Sequence, residues 1–213
     1  MTTSAKQRQK QIEKRAKKRK LVKQRSSGGG DVPLNRPSAY LHLPIHECLI
    51  PSTLFESGMG TLLISRKTTT GQYAASSFLT DVYCLGVKDA FFTVLDEETY
   101  EGRLKQGIMA AYAEGTYTNV HPSCLKKLIL GAVRYADELG FPPHKDYKRS
   151  VALLDGIDAT ACPERFEYGH EGKPFYIRGP SESLSRAKRI VEQLERRCGP
   201  DNFEMLVATG PID

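Results

Sequence analysis

Residues able to do chemistry are concentrated in one stretch, FLTDVYCLGVKD at positions 78–89, which contains Asp81, Cys84, Lys88 and Asp89. Two carboxylates with a lysine can bind a divalent cation and polarise a phosphodiester, so Asp81, Lys88 and Asp89 indicate a hydrolytic, nuclease-like site. The alternative is a polar turn whose charged side chains are solvated. Asp81 and Cys84 are three residues apart and therefore face opposite sides of an extended strand.

His144 is a further candidate, in the loop sequence PPHKD at positions 142–146. Histidine titrates near neutral pH, so His144 could act as a general base on a phosphodiester or an ester, together with the three charged residues of the first stretch. The alternative is that His144 caps or packs at a joint between two helices. The sequence favours this alternative because it identifies no partner for the imidazole.

The pattern H-x3-H-x-C, formed by His42, His46 and Cys48, resembles part of a metal-binding set. Pro44 disfavours the helix that would bring the two imidazoles onto one face, and a fourth ligand at a standard spacing is missing. The sequence therefore predicts a loop packed on a sheet, with no metal and no cofactor.

The cysteines are far apart and odd in number. They are Cys48, Cys84, Cys124, Cys162 and Cys198. Without a C-x-x-C pair they favour reduced thiols over a disulfide framework, which predicts a cytoplasmic protein. Cys84 is predicted to be a small buried residue rather than a nucleophile. No window approaches the roughly 18 consecutive apolar residues of a membrane helix, so no membrane partner is expected.

Positive charge is concentrated at the N-terminus. Residues 1–25 contain eleven of the 31 Lys and Arg residues and one of the 25 Asp and Glu residues, which leaves 20 cations against 24 acids and gives the two parts charges of +10 and −4. The eleven cations are Lys6, Arg8, Lys10, Lys14, Arg15, Lys17, Lys18, Arg19, Lys20, Lys23 and Arg25. This block predicts a contact with RNA or DNA; the alternatives are an anionic membrane surface and a tail that only aids solubility. The tail has no aromatic residue for base stacking, so duplex or structured RNA is the expected target.

The chain is predicted to have two parts. Residues 6–25 are helix formers without an apolar stripe wide enough to bury, so the tail, residues 1–30, is predicted to be disordered or conditionally helical. It ends in the flexible linker SSGGG at 26–30. Residues 31–213 are predicted to form a single domain.

The domain begins with strand patterns and then changes to helical ones. Strands are predicted at about 60–67, 73–85, 90–95, 165–169, 173–178 and 203–207. The first two are predicted to join through Gly71, and 165–178 to form a second hairpin. Helices are predicted at 97–114, 123–139, 146–154 and 182–198, with Asp146 capping the third. This order indicates the α+β class, with a mixed or antiparallel sheet and three to four packed helices.

The helix predicted at 182–198 carries a second, smaller basic patch. It consists of Arg186, Lys188, Arg189, Arg196 and Arg197. This patch leaves a protein partner as a third functional hypothesis.

Three runs in the domain, FLTDVYCLGVKDAF, LGFPPHKDY and YGHEGKPFYIRGP, resemble a family of bacterial conserved hypothetical proteins with no established activity. The resemblance extends from about residue 36 to residue 207 and excludes the tail. It implies a bacterial cytosolic origin and transfers no catalytic residue.

The first functional hypothesis is therefore an RNA- or ribosome-associated cytoplasmic protein that is anchored by its tail and has no chemistry of its own. The second is an enzyme that hydrolyses a phosphodiester or an ester around Asp81, Lys88, Asp89 and His144.

Overall fold

The structure, a computed structural model, describes residues 36–110, 116–179 and 182–206. These residues belong to the unit Asn35–Asp213. The predicted tail lies outside the described residues, so its disorder and the start of the domain at residue 31 stay predictions.

The described residues form seven strands and a set of mostly short helices. The strands are β1 (Ile45–Pro51), β2 (Met59–Lys67), β3 (Tyr73–Asp81), β4 (Gly86–Leu95), β5 (Tyr117–Asn119), β6 (Phe175–Ile177) and β7 (Glu204–Leu206). The helices are α1 (Leu54–Ser57), α2 (Glu97–Thr99), α3 (Gln106–Ala110), α4 (Pro122–Glu138), α5 (Tyr147–Val151) and α6 (Leu184–Cys198). A π-helical segment, Tyr100–Lys105, joins α2 to α3. Within this part of the chain, no helix has the length and apolar character needed to cross a bilayer.

The main sheet has the strand order β4-β3-β2-β1-β5, and each neighbouring pair is antiparallel. β6 and β7 form a separate parallel pair. An antiparallel sheet with packed helices makes this an α+β protein, as predicted. The hairpin between β2 and β3 is also confirmed: Lys67 pairs with Tyr73, and Gly71 adopts a φ of +79° that glycine tolerates without a steric penalty.

The largest apolar core lies between one face of the main sheet and α4. Leu62 and Ile64 of β2 face this side because alternate residues of a strand point the same way. They belong to one buried cluster with Leu128 and Ile129 of α4. The three- and four-residue spacing that predicted α4 is thus the spacing of its buried face.

The opposite face of the sheet is covered by the π-helical segment and α3. Leu63 and Tyr73 on this face cluster with Tyr100 and Ile108. β2 and β3 are therefore buried on both faces, which explains why small residues are frequent in β3. One of these small residues is Ser76, beside which α5 approaches the sheet closely. The Ser76 hydroxyl donates to the backbone carbonyl of Ser150 in α5 at 2.8 Å.

A buried arginine in β2 forms hydrogen bonds to the segment that precedes β1 and to the segment that follows α5. Arg66 of β2 is 5% exposed. Its guanidinium donates to the carbonyls of Leu41 at 3.0 Å, Leu43 at 2.6 Å and Leu153 at 3.3 Å. Three backbone acceptors thus compensate for the removal of this charge from water.

Several local predictions are wrong. The segment with His46 and Cys48, predicted to be a loop packed on a sheet, is part of β1 within the main sheet. The strand predicted at 73–85 ends at Asp81, and residues 82–85 form a turn before β4. Residues 165–169 form no strand, and β6 pairs with β7 rather than with them, because the partner that completes its hydrogen bonds arrives only after α6. Asp146 precedes α5, but its side chain makes no capping hydrogen bond. In addition, the helix predicted from residue 97 changes to π-helical geometry at Tyr100.

The prediction that all the cysteines are reduced is also wrong. Cys124 and Cys162 form a disulfide, with their Cα atoms 4.9 Å apart. Cys48, Cys84 and Cys198 are free. The paired cysteines are separated by 38 positions in sequence, and sequence spacing does not reveal where such a long loop returns.

Candidate functional site

Asp81 ends β3 with its carboxylate beneath the turn that leads to β4. Its Oδ1 accepts hydrogen bonds from the backbone N–H groups of Tyr83 at 3.0 Å and Cys84 at 2.9 Å. Burial raises the pKa of Asp81 to about 6, although Lys88 and the backbone donors act in the opposite direction. The side chain therefore orders a turn, and a substrate could not reach it without displacing that turn.

His144 and Asp89 are brought together. The backbone N–H of His144 donates to the backbone carbonyl of Val87 at 2.9 Å, which places the loop after α4 beside β4. The Nδ1 atom of His144 then lies 3.5 Å from Oδ1 of Asp89 and 3.9 Å from Oδ2 of Asp146. The backbone N–H of Asp146 donates to the same nitrogen at 3.4 Å. A hydrogen bond to Asp89 would instead require the tautomer that carries its proton on Nδ1, so the two contacts exclude each other.

The four predicted catalytic residues thus form two pairs rather than one site. Lys88 lies in a β-bulge, where the register between β3 and β4 slips, and its charge acts on Asp81. Asp89 and His144 form the other pair, with side chains 61% and 27% exposed. Solvent reaches this second pair, whose chemistry would be that of a carboxylate orienting an imidazole base.

Within the predicted partial metal motif, only His46 lies close to other ligand atoms, and His42 is exposed. One ligand atom from each of His46, Glu47 and Glu101 lies within 4.8 Å of the others. However, Nζ of Lys105 is 3.1 Å from Glu47 and 3.3 Å from Glu101. An ammonium group therefore already neutralises the two carboxylates that a metal ion would use.

The three free thiols are not activated. Burial raises the pKa of Cys48 to about 12 and also raises the pKa values of Cys84 and Cys198. A nucleophilic cysteine needs the opposite shift, because the thiolate is the reactive form. Cys84 is fully buried, as predicted, and packs among Leu85, Leu139 and other apolar side chains.

A polar cluster that the sequence did not predict lies where β1 meets the π-helical segment. This Glu47 cluster consists of His46, Glu47, Ser65, Tyr100, Glu101 and Lys105. Tyr100 donates to Oε1 of Glu47 at 2.5 Å, and its hydroxyl lies 2.8 Å from Oγ of Ser65. Burial and the bond to Glu47 raise the pKa of Tyr100, so its phenol remains a donor. The polar side-chain atoms of Glu47, Ser65 and Tyr100 therefore find their hydrogen-bond or ion-pair partners within the cluster.

Two backbone irregularities position this cluster. The register of β1 with β2 shifts between Ile45 and Glu47, which places His46 in a bulge. Tyr100 and Lys105 begin and end the π-helical segment. Bulges and π-helical turns are both enriched beside functional sites. One sequence signal could have identified the cluster. Glu47 and the buried Leu49 are two residues apart in a strand, so both side chains point to the same, covered face.

The predicted basic patch lies on the exposed side of α6. Four of its members form the arginine face: Arg186, Arg189, Arg196 and Arg197. At about 100° per residue, these four lie within roughly a third of the helix circumference. Ile190 and Leu194 point instead into the core. Lys188 lies on another side, where it pairs with Glu192 at 3.9 Å.

Half of the arginine face is engaged by neighbouring side chains. Arg186 pairs with Glu182 at 2.9 Å, and Arg196 donates to the side chain of Gln193 at 2.7 Å. Arg189 and Arg197 have no ion pair within residues 36–110, 116–179 and 182–206. Guanidinium groups bind phosphate oxygens in a bidentate manner, so this face can receive a polyanion.

The eleven N-terminal cations predicted to bind nucleic acid lie outside the described residues. No family model, curated protein or solved structure matches the chain. A function must therefore be supported by the charge distribution and the geometry of the chain itself.

Proposed function

We propose that the protein binds structured RNA in the bacterial cytoplasm, through residues 6–25 and with the arginine face as a second contact. The observation that carries the proposal is the separation of charge, +10 in residues 1–25 and −4 in the remainder. Each lysine or arginine that meets a phosphate releases condensed counterions, so such a segment gains affinity without reading bases. Solubility alone does not require the cations to be collected at one end.

The arginine face supports the same partner. It spans the eleven residue steps from Arg186 to Arg197, about 16 Å along the helix at 1.5 Å per residue. Its guanidinium groups stand on a body that is acidic as a whole, so they mark one place where a polyanion can approach that body. Recognition of this kind depends on the shape and phosphates of an RNA helix rather than on base edges.

The test is the affinity for a fluorescent RNA hairpin, measured by anisotropy between about 50 and about 200 mM salt. Deleting residues 1–30 is expected to lower the affinity at least about 100-fold. It is also expected to reduce the slope of the logarithm of the binding constant against the logarithm of the salt concentration by several units. A variant with Arg189, Arg196 and Arg197 changed to Gln is expected to lose up to about three units of slope. The control is Lys188→Gln, on another side of α6, which is expected to bind like the unchanged protein.

Unchanged affinity after deletion would remove the tail from the function. Equal affinity for a DNA duplex of the same sequence would contradict the preference for RNA and leave general nucleic-acid binding. Equal effects of Lys188→Gln and the triple variant would remove the arginine face from the contact.

A hydrolytic function is the second candidate, favoured by the contact between His144 and Asp89. When the proton is on Nδ1 and directed at Asp89, the hydrogen bond from the Asp146 N–H is given up. The imidazole then presents Nε2 as a base that can deprotonate a water attacking a phosphodiester or an ester. His144→Ala is expected to lower turnover of bis(p-nitrophenyl) phosphate or p-nitrophenyl acetate by about 100-fold. Arg134→Gln, a change of an exposed residue on α4, serves as the control. Absence of turnover above the buffer rate with both substrates would dismiss this candidate.

A further inference from the structure

The disulfide lies at the beginning of the longest helix. Cys124 is the third residue of α4, after the N-cap His121. Cys162 follows the 3-10 turn Ala159–Ala161. The bond therefore joins the first turn of α4 to an otherwise irregular segment of the chain.

Residues 162–166, here termed the strap, form one wall of a cavity of about 380 Å³. Pro163, Glu164 and Phe166 belong to this wall. The remaining walls are mostly apolar and come from β1, the residues before α4, and α4 itself; they include Ile50, Val120, His121, Cys124, Leu125 and Leu128. Cys124 lines the cavity. The bonded pair is buried, with Cys124 8% and Cys162 3% exposed, and it borders this open space through Cys124.

Noncovalent contacts also hold the strap, and its Phe166 packs against the main core. Nζ of Lys127 donates to the carbonyl of Cys162 at 3.0 Å and to that of Glu164 at 2.7 Å. Phe166 stacks on Phe55 of α1, with ring centroids 5.9 Å apart and planes 4° from parallel. Both contacts involve partly or largely exposed residues, so the disulfide is the strongest link between the strap and α4.

The position of Cys124 favours reversible chemistry. The helix dipole at the start of a helix stabilises a thiolate, which makes such a cysteine a good leaving group and a good attacking group in disulfide exchange. The other cysteines lack this position: Cys48 lies in β1, Cys84 in the turn after β3, and Cys198 at the end of α6. Only the bonded pair therefore combines a place in a cavity wall with a helix N-terminus.

We propose that Cys124 and Cys162 are a redox-active pair whose reduction releases the strap and opens the cavity. The reductant is a dithiol or two molecules of a monothiol such as glutathione. One thiolate attacks a sulfur of the pair, a second thiolate resolves the mixed disulfide, and the two reductant sulfurs leave joined as a disulfide. Two electrons and two protons pass to the pair, which becomes two thiols. The proposal is independent of RNA binding, because it involves neither the tail nor α6.

The experiment uses the full-length protein equilibrated in glutathione buffers that span the cytosolic range. Alkylation in denaturant is expected to trap three thiols at the oxidising end and five at the reducing end. Brief trypsin treatment of the folded protein, analysed by mass spectrometry, is expected to give a new N-terminus at Phe166. This cleavage after the exposed Arg165 is expected to be at least tenfold faster in the reduced protein, with unchanged far-UV circular dichroism.

Two variants separate the pair from general effects of reductant. Cys162→Ser is expected to show the fast cleavage in every buffer. Cys198→Ser keeps the pair and is expected to follow the unchanged protein.

Three results would overturn the proposal. The pair could stay oxidised across the whole cytosolic range, which would make it a structural crosslink. Five thiols could be found even at the oxidising end. Finally, reduction could either leave the cleavage after Arg165 unchanged or unfold the whole domain, as seen from loss of the circular dichroism signal.

Discussion

The rings of Tyr73 and Tyr100 stack with their centroids 4.3 Å apart and their planes 1° from parallel. Each phenol donates to a glutamate that also pairs with a lysine: Tyr73 to Glu97, with Lys67, and Tyr100 to Glu47, with Lys105. The two arrangements differ in exposure, since the side chain of Glu97 is 64% exposed and that of Glu47 is 11% exposed. The first arrangement joins α2 to the sheet, and the second joins the π-helical segment to it.

Tyr100→Phe is expected to lower the free energy of unfolding by about 1 to 3 kcal/mol, because the buried oxygens of Glu47 and Ser65 lose a partner. Tyr73→Phe keeps the ring stack and removes only one of two donors to the exposed Glu97, which retains Lys67. It is therefore expected to have the smaller effect, within about 1 kcal/mol. Urea unfolding of both variants checks the order, and equal losses would contradict the role assigned to burial.

Arg66→Met is expected to destabilise the protein by about 2 to 4 kcal/mol, because three carbonyl oxygens around the guanidinium lose their donors. The matched control is Arg134→Met, whose side chain is 79% exposed and lies 4.0 Å from Glu138. It is expected to change stability by about 0.5 kcal/mol or less. Similar unfolding midpoints in urea for the two variants would show that the buried guanidinium is not a structural fastening.

Gly131→Ala is expected to destabilise α4 although alanine is the better helix former. An added Cβ would overlap the hydroxyl of Tyr168, which donates to the carbonyl of Leu128 at 3.0 Å. The loss is expected to be about 1 to 3 kcal/mol by thermal unfolding. Gly107→Ala, in α3 with no described atom within 4 Å of the added Cβ, is expected to gain up to about 1 kcal/mol. A gain in both variants would mean that Tyr168 moves aside without loss.

Titration of the Asp81 carboxyl group is expected to lower the free energy of unfolding as the pH rises. Its pKa in the folded protein, about 6, is above the ordinary value of 3.8, so between these values the folded state holds more protons than the unfolded state. The loss is expected to occur from about pH 4 to about pH 6 and to reach up to about 3 kcal/mol. Asp81→Asn keeps an acceptor oxygen and removes the titration, so urea unfolding should show a flatter dependence on pH.

Asp158→Asn provides the opposite control. Hydrogen bonds from Thr160 lower the pKa of Asp158, so the stability contributed by this carboxylate is present above its ordinary pKa and is lost as the pH falls. The control variant should therefore lose stability at neutral pH and approach the unchanged protein in acid. Parallel pH curves for the unchanged protein and Asp81→Asn would contradict the burial of the Asp81 carboxylate.

Local patterns predicted the elements whose cause is local. The spacing of apolar residues identified α4 and α6, and Gly71 identified the hairpin between β2 and β3. Features that depend on distant parts of the chain were missed. The partner of β6 is β7, beyond α6, and the partner of Cys124 is Cys162; neither pairing leaves a mark in the neighbouring residues.

The candidate sites show the same contrast between features that local sequence predicts and features that depend on distant parts of the chain. His144 and Asp89 were predicted to belong to one hydrolytic site with Asp81 and Lys88, and the backbone hydrogen bond from His144 to Val87 brings only these two together. Asp81 was predicted to be catalytic from its residue type, but the turn that follows it uses its carboxylate. The Glu47 cluster was missed because its members come from β1, β2 and the π-helical segment, and residue spacing does not reveal which strands are neighbours.

The bond between Cys124 and Cys162 also determines how a break in the chain becomes visible. While this bond is intact, a single cut between Lys126 and Ala161 leaves both pieces covalently attached. An electrophoresis gel run without reductant would then show one band of full mass, and only a reduced sample would show two. The stretch containing α5 is thus enclosed in a covalent ring, so a nicked molecule could retain all of its parts.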